Sequence, residues 1–167
     1  MEAARVATAA DAAILSSLWA QAQREVEVER GGALLVAGVV NDRPAVETLL
    51  AALDDADRLV VVGTLDTVGV GFALARYQLV GLTPIGNVEA IYVEPPARQV
   101  GVGEAMVDAI AEWCDRRGCQ GMDAPALPGS RPAKAFFEDN GFVARLLVMH
   151  RPLAGGKADE GDHRGGP

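Results

Sequence analysis

Cysteine, positive charge and long apolar runs are all scarce in this chain of 167 residues. Two cysteines, Cys114 and Cys119, cannot make a disulfide framework, and their spacing is not that of a zinc site. Small buried or half-buried thiols are expected instead. Lysine and arginine total 15 against 23 acidic residues, a formal charge of −8. That balance argues against nucleic acid as a partner, because such binding needs a basic surface to displace counterions. It suits a cationic substrate such as an amine, and equally a solvated acidic surface that keeps the protein soluble. No apolar stretch is long enough to cross a bilayer, and residues 1–5 lack a basic leader followed by an apolar run. A cytoplasmic protein with no membrane partner is therefore expected. His150 and His163 have no partner at metal or triad spacing, so no metal is expected.

What is present is a chain that is half apolar, enough for one domain with a sizeable core, placed at residues 1–153. Residues 154–167 are rich in glycine and charge without apolar period, which predicts a disordered tail. The organising stretch is residues 87–117. Val88, Ile91, Tyr92 and Val93 are β-branched or aromatic and predict a strand stopped by Pro95 and Pro96. Apolar Ala105, Met106, Ala109, Ile110 and Trp113, opposed by Glu104, Asp108, Glu112 and Asp115, predict an amphipathic helix ending before Gly118.

Between strand and helix, Gly101 and Gly103 remove Cβ atoms that would hold a ligand off the backbone. The first amides of the helix have no internal acceptor, so the loop can receive an anion. A dinucleotide fingerprint would need a third glycine where Met106 stands, and a nucleoside-triphosphatase loop would need Gly-Lys-Ser or Gly-Lys-Thr where Gly103-Glu104-Ala105 stands. Both are disfavoured, and a merely tight connection remains the plain alternative.

Arg98-x-x-Gly101-x-Gly103, following a strand that ends in Val93-Glu94-Pro95, resembles the acyl-CoA signature of the GNAT superfamily of N-acyltransferases. The resemblance implies that the loop amides of Arg98, Gln99, Val100, Gly101, Val102, Gly103 and Glu104 bind the pyrophosphate of acetyl-CoA or a related acyl-CoA. Gln99 and Val100 stand where the family often has glycine and a basic residue, so a side-chain phosphate contact is weaker here. The resemblance also implies that the parallel neighbour of the 87–93 strand splays away, leaving the N–H of Val93 to polarise the thioester carbonyl. Such a donor is commonly worth about 3 kcal/mol; an ordinary ladder position is the alternative for Val93. It further implies a homodimer.

The rest of the chain reads around that unit. Residues 5–8 predict a first strand, and Thr8-Ala9-Ala10-Asp11 a capping box opening a helix through Leu15, Leu18 and Trp19. After Gly31-Gly32, residues 33–40 fit either a strand or a buried helical piece. Asn41-Asp42-Arg43-Pro44 predicts the start of a helix whose inner stripe is Val46, Leu49, Leu50 and Leu53. Residues 58–63 and 68–78 predict a hairpin turning at 64–67. Residues 119–126 predict a short strand parallel to 87–93 through the intervening helix, and residues 142–150 a last strand. The expected fold is α/β of the α+β kind: a mixed, mostly antiparallel central sheet, a parallel βαβ pair carrying the CoA site, and helices on both faces.

Residues 129–142 resemble the family's closing motif, with Ala133, Phe136-Phe137, Glu138 and Gly141-Phe142 in place. Ser130 takes the position of an Asn and lines the thiol exit; Phe137 takes that of a Tyr that commonly protonates the departing thiolate. Phenylalanine has no proton to give. An amine nucleophile has a pKa of roughly 10.4 and must lose a proton to attack. Glu89, four residues before Val93 and by period two on the same face of the strand, is the expected base. A partly solvated carboxylate paired with an Arg is the plain alternative. Tyr92 should face the core, with a role as acid open to it only if the strand is bulged. The expected reaction is direct transfer of an acetyl or short acyl group from acyl-CoA to a small-molecule or protein amine. An inactive acyl-CoA sensor or assembly subunit, and an O-acyltransferase, are the competing readings.

Overall fold

The computed structural model describes residues 1–40 and 45–151. Strand β1 (Glu2–Val6) leads through a 3-10 turn (Ala9–Asp11) into α1 (Ala12–Glu27). The strand lies earlier than the predicted 5–8 because Thr8 is occupied as a cap. Its N–H and hydroxyl both reach Asp11 Oδ2, at 2.8 and 3.1 Å, and Arg5 Nη1 donates to the same oxygen at 2.8 Å. The capping box thus forms with Asp in the Glu position.

Gly31 turns the chain with a φ of 82°. The open choice for residues 33–40 resolves as a helix, α2 (Gly32–Val40). The predicted helix start at Asn41–Pro44 and the predicted tail at 154–167 lie outside the described residues, while α3 covers Ala45–Leu53. Leu49 is fully buried there, whereas Leu50 is 37% exposed and lies outside the stripe.

Strands β2 (Arg58–Leu65) and β3 (Val68–Val80) form the expected hairpin, longer than predicted. Its turn tightens to Asp66 and Thr67, both in the left-handed region at φ 48° and 74°, the geometry that matches strand twist in two-residue loops. Then follow β4 (Thr83–Val93), a 3-10 turn (Pro95–Ala97), α4 (Val102–Arg116), β5 (Met122–Asp123) and α5 (Arg131–Asp139).

The sheet order is β1-β2-β3-β4-β5, antiparallel throughout except for the parallel β4–β5 pair. Helices cover both faces. On one face α1 and α3 pack Leu15, Leu18, Trp19 and Leu49 against Val60, Val62, Phe72 and Leu74. On the other, α4 packs Val102, Met106, Ile110 and Cys114 against Leu59, Val61, Ala73, Ala75 and Val88. No helix among the described residues is long and apolar enough to cross a membrane.

Two predicted strands are corrected. The 119–126 strand shrinks to Met122–Asp123, because Pro125 and Pro128 cut the ladder on its far side. The 142–150 strand is absent: residues 142–151 carry no regular structure. Phe142 instead folds back, its N–H on the Phe137 carbonyl at 2.9 Å and its ring 5.2 Å from that of Phe137. Arg145 Nε donates to Asp123 Oδ1 at 2.7 Å, so a side chain stands beside β5 where a strand was expected.

Candidate active site

The site begins with an irregularity in β4. Leu74 lies opposite Ala90 and Ala75 opposite Val88, leaving Glu89 as the extra residue of a bulge. Val88, Ile91 and Val93 pack on the α4 face, whereas Ala90 and Tyr92 pack on the α1 face, so side-chain parity reverses at Glu89. The Glu89 carboxylate meets Arg58 Nε at 3.4 Å and Arg76 Nε at 3.1 Å. Those arginines lie next to Leu59 and Ala75, which belong to the α4 face, and so occupy the α1 face themselves. Glu89 and Val93 therefore do not share a face, and the period-two expectation is corrected by the bulge.

The same bulge fixes the backbone. Gly86 N–H donates to Gly121 O at 3.0 Å, and β4 meets β5 only at Gly86–Met122 and Asn87–Asp123. Glu94 N–H turns the other way, to Val70 O on β3 at 2.9 Å. By strand alternation the amides of Ile91 and Val93 face the open side, where β5 has already ended. The Val93 carbonyl on that side accepts from Arg98 Nε at 2.8 Å.

Beyond β4 the loop turns through two left-handed residues, Gln99 (φ 64°) and Gly101 (φ 92°). The first of these explains why glycine is favoured at that place in the resembling motif. Ala105 N–H donates to Gly101 O at 3.0 Å, so the amides of Val102, Gly103 and Glu104 precede the first intrahelical acceptor. Among the described residues, side chains add no positive charge here. Arg98 reaches away to α1, where Nη2 contacts both oxygens of Glu25 at 2.7 and 2.8 Å. Gly101 has the Glu2 and Glu104 carboxylates for neighbours: a Cβ placed on it would lie 3.0 Å from Glu2 Cγ and 3.5 Å from Glu104 Oε2. Anion affinity at this turn must come from oriented amides and the α4 dipole, and the residues fit a pyrophosphate on that basis.

Gly103 has a structural reason of its own. A Cβ there would come within 2.7 Å of Phe136 Cε2, so the glycine lets α5 approach α4. Phe136 and Phe137 rings stand 5.3 Å apart, and Phe137 is buried. Tyr92 is buried as expected, with the Arg98 guanidinium 5.6 Å from its ring centre. Burial pushes its hydroxyl pKa up, with Glu25 adding to the effect.

A cavity of about 160 Å³ opens where β4 leaves β5. Glu89, Ser130 and Phe137 line it; Val93 and residues 98–104 do not. The sequence-predicted residues thus fall into two adjoining places, an amide turn at the head of α4 and a cavity bordered by α1, α2, β4 and α5. Sequence reading missed Trp19, Phe72 and Glu29 as cavity walls, and Arg58 and Arg76 as partners of Glu89. Helical period marked Trp19 as core, but nothing in the sequence marked it as lining a cavity.

A strand that opens beside an amide-lined turn, with a cavity at the opening, offers free backbone donors along one edge. Residues 18–142 match the acetyltransferase (GNAT) family, and the chain belongs to it and is an acetyltransferase of that family. A relative in Stenotrophomonas maltophilia, aminoglycoside N(6')-acetyltransferase type 1, is 29% identical over 115 residues, covering 64% of this chain and 75% of that protein. Among solved structures, aminoglycoside N-acetyltransferase AAC(6')-Iy in complex with CoA superposes with a TM-score of 0.71 at 20% identity, covering 92% of this chain and 96% of that one. Ribosomal-protein-alanine N-acetyltransferase from Brucella melitensis biovar Abortus 2308 gives 0.65 at 18% identity, covering 92% and 100%. These structural likenesses bear on the fold.

Proposed function

We propose that this chain moves an acetyl or other short acyl group from acyl-CoA to a small-molecule amine by direct attack. The observation that carries the reading is the open β4 edge, where the outward amides of Ile91 and Val93 lie between the α4 amide turn and the cavity. Ile91 lines the cavity and Val93 does not, so Ile91 joins Val93 as a donor to the thioester carbonyl oxygen. The amides of residues 98–104 hold the pyrophosphate, and Ser130 lines the thiol exit. In the transfer the C–N bond forms, the C–S bond breaks, and the nitrogen gives up a proton. Glu89 borders the cavity, where Arg58 and Arg76 hold its carboxylate in place, and it accepts that proton through water. Phe137 excludes water and donates nothing, so the thiolate takes its proton from solvent.

A sensor that binds acyl-CoA without transfer is the second reading. It is favoured by Phe137 in the cavity wall and by the two guanidinium groups engaging Glu89. The test is release of free CoA thiol from acetyl-CoA with an amine panel that includes an aminoglycoside, the acceptor in the names of two relatives. Amine-dependent release that falls at least tenfold in Glu89→Gln, with acetyl-CoA affinity kept, supports transfer. Tight acetyl-CoA binding with no release from any amine would overturn transfer to amines.

A further inference from the structure

The walls of the cavity say which amine fits. Apolar groups dominate: Trp19, Val36, Phe72, Ile91, Leu127 and Phe137. Among the described residues, two carboxylates reach its lining, and neither Lys nor Arg does. Glu89 is matched by two arginines, while among the described residues Glu29 has only the Ser130 hydroxyl at 3.4 Å. One carboxylate is thus left for one ammonium. Trp19 Nε1 is buried without a hydrogen-bond partner among the described residues, and as a donor it can meet a ring face or one oxygen but not a cation.

We infer that the acceptor is a monoamine carried on an apolar body of about aromatic size, and not a polycationic sugar. This rests on the acyl-transfer reading above. A cavity of about 160 Å³ has room for a phenyl ring with a short alkyl amine, whereas a multi-ring aminoglycoside would seat only one ring there and leave the others outside. A polyhydroxylated acceptor would leave hydroxyl and ammonium groups against apolar walls without partners, which a site discriminates against strongly. An aryl body places its ring against Trp19 and Phe72, whose own rings stack 5.4 Å apart, and its nitrogen toward Glu29 and the β4 edge.

The experiment compares 2-phenylethylamine, ethylamine, spermidine and kanamycin as acceptors for the full chain with saturating acetyl-CoA. Binding of each amine to the CoA-bound protein is measured in parallel by calorimetry. The expected kcat/KM for 2-phenylethylamine is at least 30-fold above each of the other three. Val36→Asp, on the half-buried wall of the cavity, should cut the 2-phenylethylamine value at least tenfold and raise that of spermidine, with acetyl-CoA affinity unchanged. Kanamycin or spermidine turned over as well as 2-phenylethylamine would overturn the inference while leaving acyl transfer intact. Saturable binding of 2-phenylethylamine without turnover would sink the transfer reading and uphold the cavity's preference. Failure of 2-phenylethylamine to bind or react, with acetyl-CoA bound normally, would overturn the inference.

Discussion

Gly103 is the position at which ligand binding and packing make opposite predictions. The motif alone assigns it to close approach by a pyrophosphate; the structure places a Cβ added there 2.7 Å from Phe136 Cε2 and 3.0 Å from Cζ. Carbon atoms prefer separations of about 3.5–4.0 Å, so Gly103→Ala must displace the ring by most of an ångström. The ring is held by its neighbour Phe137 at 5.3 Å, and Phe137 by Phe142 at 5.2 Å, so it cannot swing freely. Overpacking of this kind costs about 1–2 kcal/mol, roughly 5 °C in Tm for a chain of this size. Urea unfolding and acetyl-CoA calorimetry on Gly103→Ala, Phe136→Leu and the double variant separate the two roles. The single glycine substitution should lose stability, and Phe136→Leu should return most of the loss by making room. If Gly103→Ala unfolds at the same urea concentration as the parent and loses only acetyl-CoA affinity, the packing argument is refuted.

The remaining predictions concern charge. Val100 is 44% exposed beside the amide turn; a charge within a Debye length of a bound diphosphate is worth about 1 kcal/mol after screening. Val100→Lys should therefore tighten acetyl-CoA binding several-fold and Val100→Glu weaken it by a similar factor, with both effects shrinking at high salt; titration in two salt concentrations decides it. Asp11 is held below the ordinary carboxylate range by hydrogen bonds from Arg5, opposed by partial burial and aided by Thr8. Because the unfolded chain then takes up the proton first, the stabilisation is complete above pH of about 4 and is lost as pH falls below that. Asp11→Asn should cost about 1 kcal/mol at pH 7, Arg5 being half exposed, and the gap should close in acid; a gap that persists at low pH would sink the argument. The Cys114 thiol is pushed up to about 12 by burial, with Cys119 adding to the shift. Iodoacetamide at pH 8 should therefore add one adduct, on half-buried Cys119, and reach Cys114 only after unfolding; equal labelling of both thiols in the native protein would contradict the burial.

The strand–turn–helix unit was legible because its signals are local. Pro95 and Pro96 stop β4, Gly101 takes a φ that few side chains adopt, and the apolar stripe of α4 repeats at helical period. The Thr8–Asp11 cap and the β2–β3 hairpin were legible for the same reason. Residues 142–150 show where local pattern misleads: Val143 and Leu146 to Met149 have strand composition, yet the segment found no ladder and stays exposed, because pairing depends on a neighbour that β5 is too short to supply.

The sequence by itself determined the family, the amide turn and the helix that presents it, since each depends on residues a few positions apart. Only the tertiary structure decided what surrounds the turn. Arg98 pairs with Glu25 across 73 residues, Glu89 with Arg58 and Arg76 on two other strands, and Phe136 presses on Gly103 from a different helix. The bulge at Glu89 is the clearest case: one extra residue against β3 reverses the faces of β4. No period within β4 encodes it, because a bulge is a relation between two strands and is fixed only when their registers, and the cores on both sides of the sheet, are packed together.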